Sequence, residues 1–404
     1  MAVTEQSENR VSVKGLPVTF DWMLLLTTGA LIAFGLMMVY STTFDWSYRD
    51  FGSPTTIFMR QVRSLAIGLV VLAVLARIDY HRWEHPVIAL AIIVGTVLVL
   101  VAVLAFGSTI FGARRSFIGG RYQPSELAKL ATIIYLSVWL SSKRDQLHHF
   151  GYGMLPFGII VGVVVGLITA QPDLSAALTI LLVGGTLFLL AGAELVQIGM
   201  VAAISGLAGY SVVLFSETGR ARLADYVSGL NDLTETSWHV QQAIVAFVNG
   251  GWFGRGLGES YQKFNILPTP HTDSVFAIVA EELGLFGNLL LILLFVVLIW
   301  RGIKIASNAP DMFGALLAGG LTCWVAYEAI INIGVMVAAL PFAGNALPII
   351  SFGGSSLVIT LAAIGLLLSI SRYDATLRPE RKTRSAIDFR PRAKNGRRPM
   401  ARRR

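Results

Sequence analysis

Apolar stretches of about 20 residues recur along the 404-residue chain, and each is long enough as a helix to cross about 30 Å of hydrocarbon. In lipid a backbone can satisfy its polar groups only as helices or as a closed barrel. The short alternating segments of a barrel are not seen in the sequence. The runs therefore predict an all-α, polytopic helical membrane protein of about ten transmembrane helices. They fall at 20–41, 58–77, 84–106, 124–141, 154–170, 174–192, 195–215, 274–300, 312–340 and 348–371. Charged residues are 14% of the chain, against about 25% in soluble domains, as such spans require.

An even number of spans puts both ends on one side. The segment 372–404 holds 13 of the 32 Lys and Arg residues. Short loops with Arg77 and Arg82, Lys143 and Arg144, and Arg301 and Lys304 fall on the same side. Cytoplasmic loops collect such cations, so this side is expected to be cytoplasmic. The 372–404 tail is polar and basic, reads as disordered, and suits contact with anionic lipid better than nucleic acid. The polar segment 1–19 precedes a run too long for a cleavable leader, so that run is expected to stay as a span. The remaining membrane domain, 20–371, then places one large extracytoplasmic loop at 216–273. Within that loop 238–247 (WHVQQAIVAF) is amphipathic and suits an interfacial position. The single Cys323 allows no intrachain disulfide, and the six histidines do not fall in metal-ligand spacing.

The segment 249–284 (NGGWFGRGLGESYQKFNILPTPHTDSVFAIVAEELG) carries the densest chemistry. Asp273 stands just before a long apolar helix, following a glycine-rich stretch with Arg255, Lys263 and His271. Thr272 or Asp273 can simply cap that helix. A helix N-terminus also keeps an acid ionised while partial burial raises its proton affinity, which suits a general base. Glu281 and Glu282 lie about 12 Å further along a continuous helix, where acids need a partner or a cavity. In 112–129 (GARRSFIGGRYQPSELAK), Arg114, Arg115 and Arg121 sit among glycines and suit phosphate oxygens. Glu126 and Lys129 are three apart at a helix start, as a local pair or as a cavity lining. Asp173 in 171–174 (QPDL) reads as an N-cap. The segment 341–356 (PFAGNALPIISFGGSS) holds two prolines and three glycines between spans. It cannot be plain helix, and irregular backbone at that depth is tolerated where it lines a cavity. Glu328 and Asn332 can point into the same cavity.

Taken together, these segments resemble the SEDS family (shape, elongation, division and sporulation) of bacterial cell-wall proteins. The resemblance rests on GARR…QPSELAK, QPDL, the GGWFGRGLGES…K stretch, HTD…FA…EELG and LP…SFGGSS, in order over nearly all of 20–372. Within the family, Glu259-Ser260 leading to Lys263 and 328–334 (EAIINIG) favour the division branch, FtsW, over the elongation branch, RodA. Departures fall at Thr269, Ser274, Ser116-Phe117, Gly344-Asn345 and Phe352. The resemblance implies a ten-span peptidoglycan glycosyltransferase of the bacterial cytoplasmic membrane that polymerises lipid II, for septal wall synthesis. It implies a class B penicillin-binding transpeptidase and other divisome membrane proteins as partners, and places the catalytic acid on Asp273.

That activity makes independent chemical sense. A sugar on a diphosphate already has a good leaving group, so one base and a set of cations suffice. Arg114, Arg115, Arg255 and Lys263 are the diphosphate candidates. Glu126, Lys129, His271, Glu282 and Ser355 complete the expected substrate-contacting set. Mg²⁺ can share the charge, although no dedicated metal motif is present in the sequence. The competing readings are a flippase of lipid-linked precursor, using Lys129, Glu281 and Glu282, and a non-enzymatic division scaffold.

Overall fold

The computed structural model describes residues 20–110, 113–116, 123–147, 149–264 and 266–387, with side chains except at 108–110, 113–116, 145, 212, 215, 218 and 374–387. The chain order is α1 (Trp22–Phe51), α2 (Thr56–Arg77), α3 (Pro86–Phe106), a hairpin of β1 (Ser108–Ile110) and β2 (Ala113–Ser116), then α4 (Pro124–Ser142) and α5 (Leu155–Ala170). It continues with α6 (Leu174–Leu190), α7 (Leu195–Phe215), α8 (Glu217–Gly229), α9 (Trp238–Gly250), α10 (Val275–Ser307), α11 (Met312–Met336) and α12 (Gly354–Ile387). Each of the ten apolar runs coincides with a helix. Seven of the helices are long and apolar enough to cross a membrane. Leu174–Leu190 of α6 and the stretch Leu195–Ser211 of α7 are shorter apolar segments, and α4 carries Glu126 and Lys129.

Burial separates the centre from the rim. About three quarters of the apolar windows of α11 (78%) and α12 (72%) are buried, against 28% in α2 and α3, so α11 and α12 form the axis. Fourteen of the 19 residues of α4 are buried beside them. The rim helices turn leucines and valines outward, as lipid-facing surfaces do. Two of the acids that cap helix starts also tie helices together. Asp173 accepts from Ala176 N (3.3 Å) and also from Gln123 Nε2 (2.8 Å) and Ser125 Oγ (2.7 Å), so its capping role holds and it ties α6 to the start of α4. Asp21 caps α1 through Leu24 N (3.0 Å) and pairs with Arg301 of α10.

One expectation changes, and the large loop gains definition. The loop 216–273 contains α8 and α9. The amphipathic segment 238–247 packs one face on protein and leaves the other open: Ala243, Ala246 and Gly250 of α9 are buried, Gly250 abuts the Ala280 carbonyl of α10, and Trp238 and Val245 are exposed. The continuous helix expected after Asp273 is broken at Gly284 (φ 69°, ψ −167°). Residues 275–282 are buried on every face, whereas 285–303 expose one stripe of leucine, phenylalanine and valine. From 285 to 307 the helix is about 34 Å long, enough for a full span by itself. Glu281 and Glu282 therefore sit at a break above that span rather than within one.

Candidate active site

The turn 271–273 is held by its main chain. Phe352 N donates to His271 O (2.7 Å), Ser351 Oγ to Thr272 O (2.5 Å) and Asn332 Nδ2 to Asp273 O (2.7 Å). Three successive carbonyls thus receive donors from α11 and from the irregular segment that joins it to α12. Asn332 also donates to Asn345 O (2.5 Å), and Asn345 Nδ2 to Glu328 O (3.0 Å), which fixes the segment to α11. Gly344, at φ 60°, brings bare backbone to the acid, since a Cβ there would lie 3.5 Å from Asp273 Oδ2. Asp273 itself is partly exposed, one residue before buried Ser274 and the start of α10. Thr269, Ala338 and Ile349 all hold positive φ (45°, 62° and 68°) in the segments that meet here. Such backbone is costly and persists where the surroundings over-determine it, most often at functional sites.

The cations and acids expected around Asp273 divide differently. Lys263 Nζ pairs with Glu282 (2.9 Å) and donates to Gly258 O (2.6 Å), while Ser41 Oγ donates to both Glu282 oxygens (2.6 and 2.8 Å). Glu282, expected to contact substrate, is fully buried in this network. Glu281 accepts from Ser260 Oγ, Gln262 N (3.1 Å) and Asn249 Nδ2 (3.2 Å). These acids staple the 250–263 loop to the break in α10. The loop also supplies main-chain partners that the break releases: Arg255 N to Glu281 O (2.9 Å), Gly256 N to Glu282 O (3.0 Å) and Leu285 N to Gly251 O (2.9 Å). Its glycines serve that contact, because a Cβ on Gly254 would stand 2.2 Å from Glu282 O. Arg255 is exposed, with its guanidinium over the Tyr261 ring (4.7 Å).

Lys129 is buried in the bundle between two acids, Glu126 (2.8 Å) and Glu328 of α11. The local pair is present, and Lys129, expected with Glu126 among the substrate contacts, ties α4 to α11. Arg114 and Arg115 lie on β2, and their side chains, like Arg121 altogether, lie outside the described residues. Ser355 is partly exposed in the first turn of α12. His271 stacks on Trp46 (4.4 Å between rings), and burial pushes its imidazole down to about 4.

Three residues not singled out as site candidates, Phe342, His239 and Arg222, reach the same corner. Phe342 lies between His239 of α9 (4.3 Å, stacked) and the Arg222 guanidinium of α8 (5.1 Å), and a Gly344 Cβ would come within 3.8 Å of its ring. Burial, with Arg222 adding to it, lowers the proton affinity of His239. Nothing local in the sequence announces this convergence of α8, α9 and the 341–345 segment. Among the described residues no group of three or more His, Cys, Asp or Glu is placed to hold a metal ion.

A cleft of about 500 Å³ opens beside the turn, between the last turns of α1, Trp238 and the 263–271 strip. His271 lines it and Asp273 follows two residues later.

Fold and site thus define a multi-pass membrane protein with a carboxylate turn clamped at one end of its helix bundle. The chain belongs to the FtsW/RodA/SpoVE family of cell cycle proteins, which matches residues 21–376. It is 37% identical to stage V sporulation protein E of Bacillus subtilis over 358 residues, covering 87% of this chain and 97% of that one. It is also 37% identical to the probable peptidoglycan glycosyltransferase FtsW of Trichlorobacter lovleyi over 357 residues, covering 87% and 93%. Among solved structures, a chain described under "Structural coordination of polymerization and crosslinking by a peptidoglycan synthase complex" superposes with a TM-score of 0.72 at 27% identity, covering 89% of this chain and 99% of that one.

Proposed function

We propose that the protein is a peptidoglycan glycosyltransferase that polymerises lipid II at the outer face of the bacterial cytoplasmic membrane for division. The observation that carries the reading is the Asp273 turn, whose main chain is held at three successive carbonyls while its acid stays partly exposed. Preorganisation of that kind is what a general base needs. Asp273 takes the proton of the acceptor 4-hydroxyl as that oxygen attacks the anomeric carbon of the donor. A carbon–oxygen bond forms on the opposite face, the bond to diphosphate breaks, and undecaprenyl diphosphate leaves with the electron pair, inverting the centre. Arg255, and Arg114 and Arg115 on β2, are the diphosphate candidates that remain once Lys263 is paired. A divalent ion at the site would take most of its oxygens from diphosphate and water.

The flippase reading relied on Lys129, Glu281 and Glu282. Each is buried and bound to fixed partners, which speaks against their cycling with a cargo. The relative in a peptidoglycan synthase complex supports a crosslinking partner, which we take to be a class B penicillin-binding transpeptidase. The test is polymerisation of purified lipid II by wild-type and Asp273→Asn protein, with and without that partner. Glycan chains from the variant at the normal rate would eliminate the base assignment.

A further inference from the structure

We infer that the cleft beside Asp273 binds uncharged sugar rings, the N-acetylated hexose units of the glycan strand, and not the diphosphate. This rests on the glycosyltransferase reading above. The cleft volume, about 500 Å³, falls in the range of about 300–1,000 Å³ typical of small-molecule sites. Its position follows from the length of α1. Beginning at Trp22, about 20 residues cross the hydrocarbon and end near Ser41, so the following turns stand clear of it. Thr42, Asp45, Trp46, Arg49 and Asp50 recur at helical spacing there, and all five line the cleft. Trp238 faces them, 58% exposed, with its ring fixed by Nε1 donating to Ile266 O (3.2 Å). At the near edge His271 is within about 7 Å of Asp273 in Cα separation, the reach of two extended residues.

Charge decides which ligand fits. Arg49 is paired with Asp45, and Lys263 with Glu282 behind the wall. His271 is neutral. Asp50 accepts from Trp46 Nε1 (2.7 Å) and is exposed. Among the described residues the lining therefore offers the Asp50 carboxylate and the Trp238 indole but no uncommitted cation. A diphosphate would meet the Asp50 charge, whereas sugar hydroxyls and acetamido N–H groups can donate to that carboxylate and a pyranose can lay its C–H face on the Trp238 ring.

The test uses the full chain in detergent, titrated by calorimetry with chitotetraose, a β-1,4 tetramer of N-acetylglucosamine. Chitotetraose should bind, Trp238→Ala should weaken it about tenfold, as loss of a tryptophan anchor does, and pyrophosphate should not displace it. Asp50→Asn, at an exposed position, should weaken binding severalfold, and both variants should make shorter chains from lipid II. Absence of chitotetraose binding, unchanged affinity in both variants, or displacement by pyrophosphate would overturn the inference. Asp273→Asn separates the two readings. Retained chitotetraose binding with no polymerisation supports both, whereas normal polymerisation removes the base and leaves the cleft to be judged by the titration.

Discussion

Asp273 and the pair Glu281–Glu282 stand eight and nine residues apart on one stretch of chain, yet their surroundings treat them in opposite ways. Around Asp273 the neighbours grip the backbone, with Asn332, Ser351 and Phe352 donating to carbonyls. Around Glu281 and Glu282 they grip the carboxylates, through Ser260, Gln262, Lys263 and Ser41. The first arrangement fixes where an acid stands, and that acid is partly exposed. The second buries the acid to join a loop to a broken helix.

The largest test of that contrast is Asp273→Asn. It should lower polymerisation by about 10²–10⁴-fold, the usual contribution of a general base, while thermal unfolding stays near wild type. The reverse is expected at Glu282. Glu282→Gln strips a buried lysine of its partner and should cost about 3–5 kcal/mol, seen as a lower midpoint of unfolding. The double substitution Lys263→Met/Glu282→Leu should recover most of that loss, and failure to do so would give the pair a role beyond joining. Gly284→Ala is next. Its positive φ and a Cβ only 2.4 Å from Gly254 N should cost at least about 2 kcal/mol and expose the 250–263 loop to protease.

The smallest effect is on pH. His271 is depressed from 6.5 to about 4 by burial. Between those values the unfolded chain binds the proton and the folded one does not, so stability falls as pH drops from 6.5 toward 4 and levels off below. His271→Phe should flatten that slope in denaturation curves taken across the interval.

The helices were legible because hydropathy is a local property, and each of the ten runs became a helix. Asp273 was legible as a helix-start acid with cations near it in sequence. Its clamp was not, because Asn332 and Ser351 act on it from 59 and 79 positions away. The break in α10 was hidden by composition: residues 275–280 are as apolar as a span, since burial in protein and burial in lipid select the same side chains. Only Gly284 hinted otherwise, and a single glycine in a helical run is ambiguous. The pairing of Lys263 was missed for a related reason. Read in sequence it neighbours Asp273, and only the fold turns it toward Glu282.

The 30 residues of α1 make a rod of about 45 Å, half as long again as the oily layer it crosses. Activity is therefore expected to depend on bilayer thickness. In a thicker membrane acyl chains would climb toward Asp45 and Arg49, and the helix would have to tilt or the lipid to thin around it. Reconstitution in lipids of graded chain length should show an optimum set by where that overhang clears the oil.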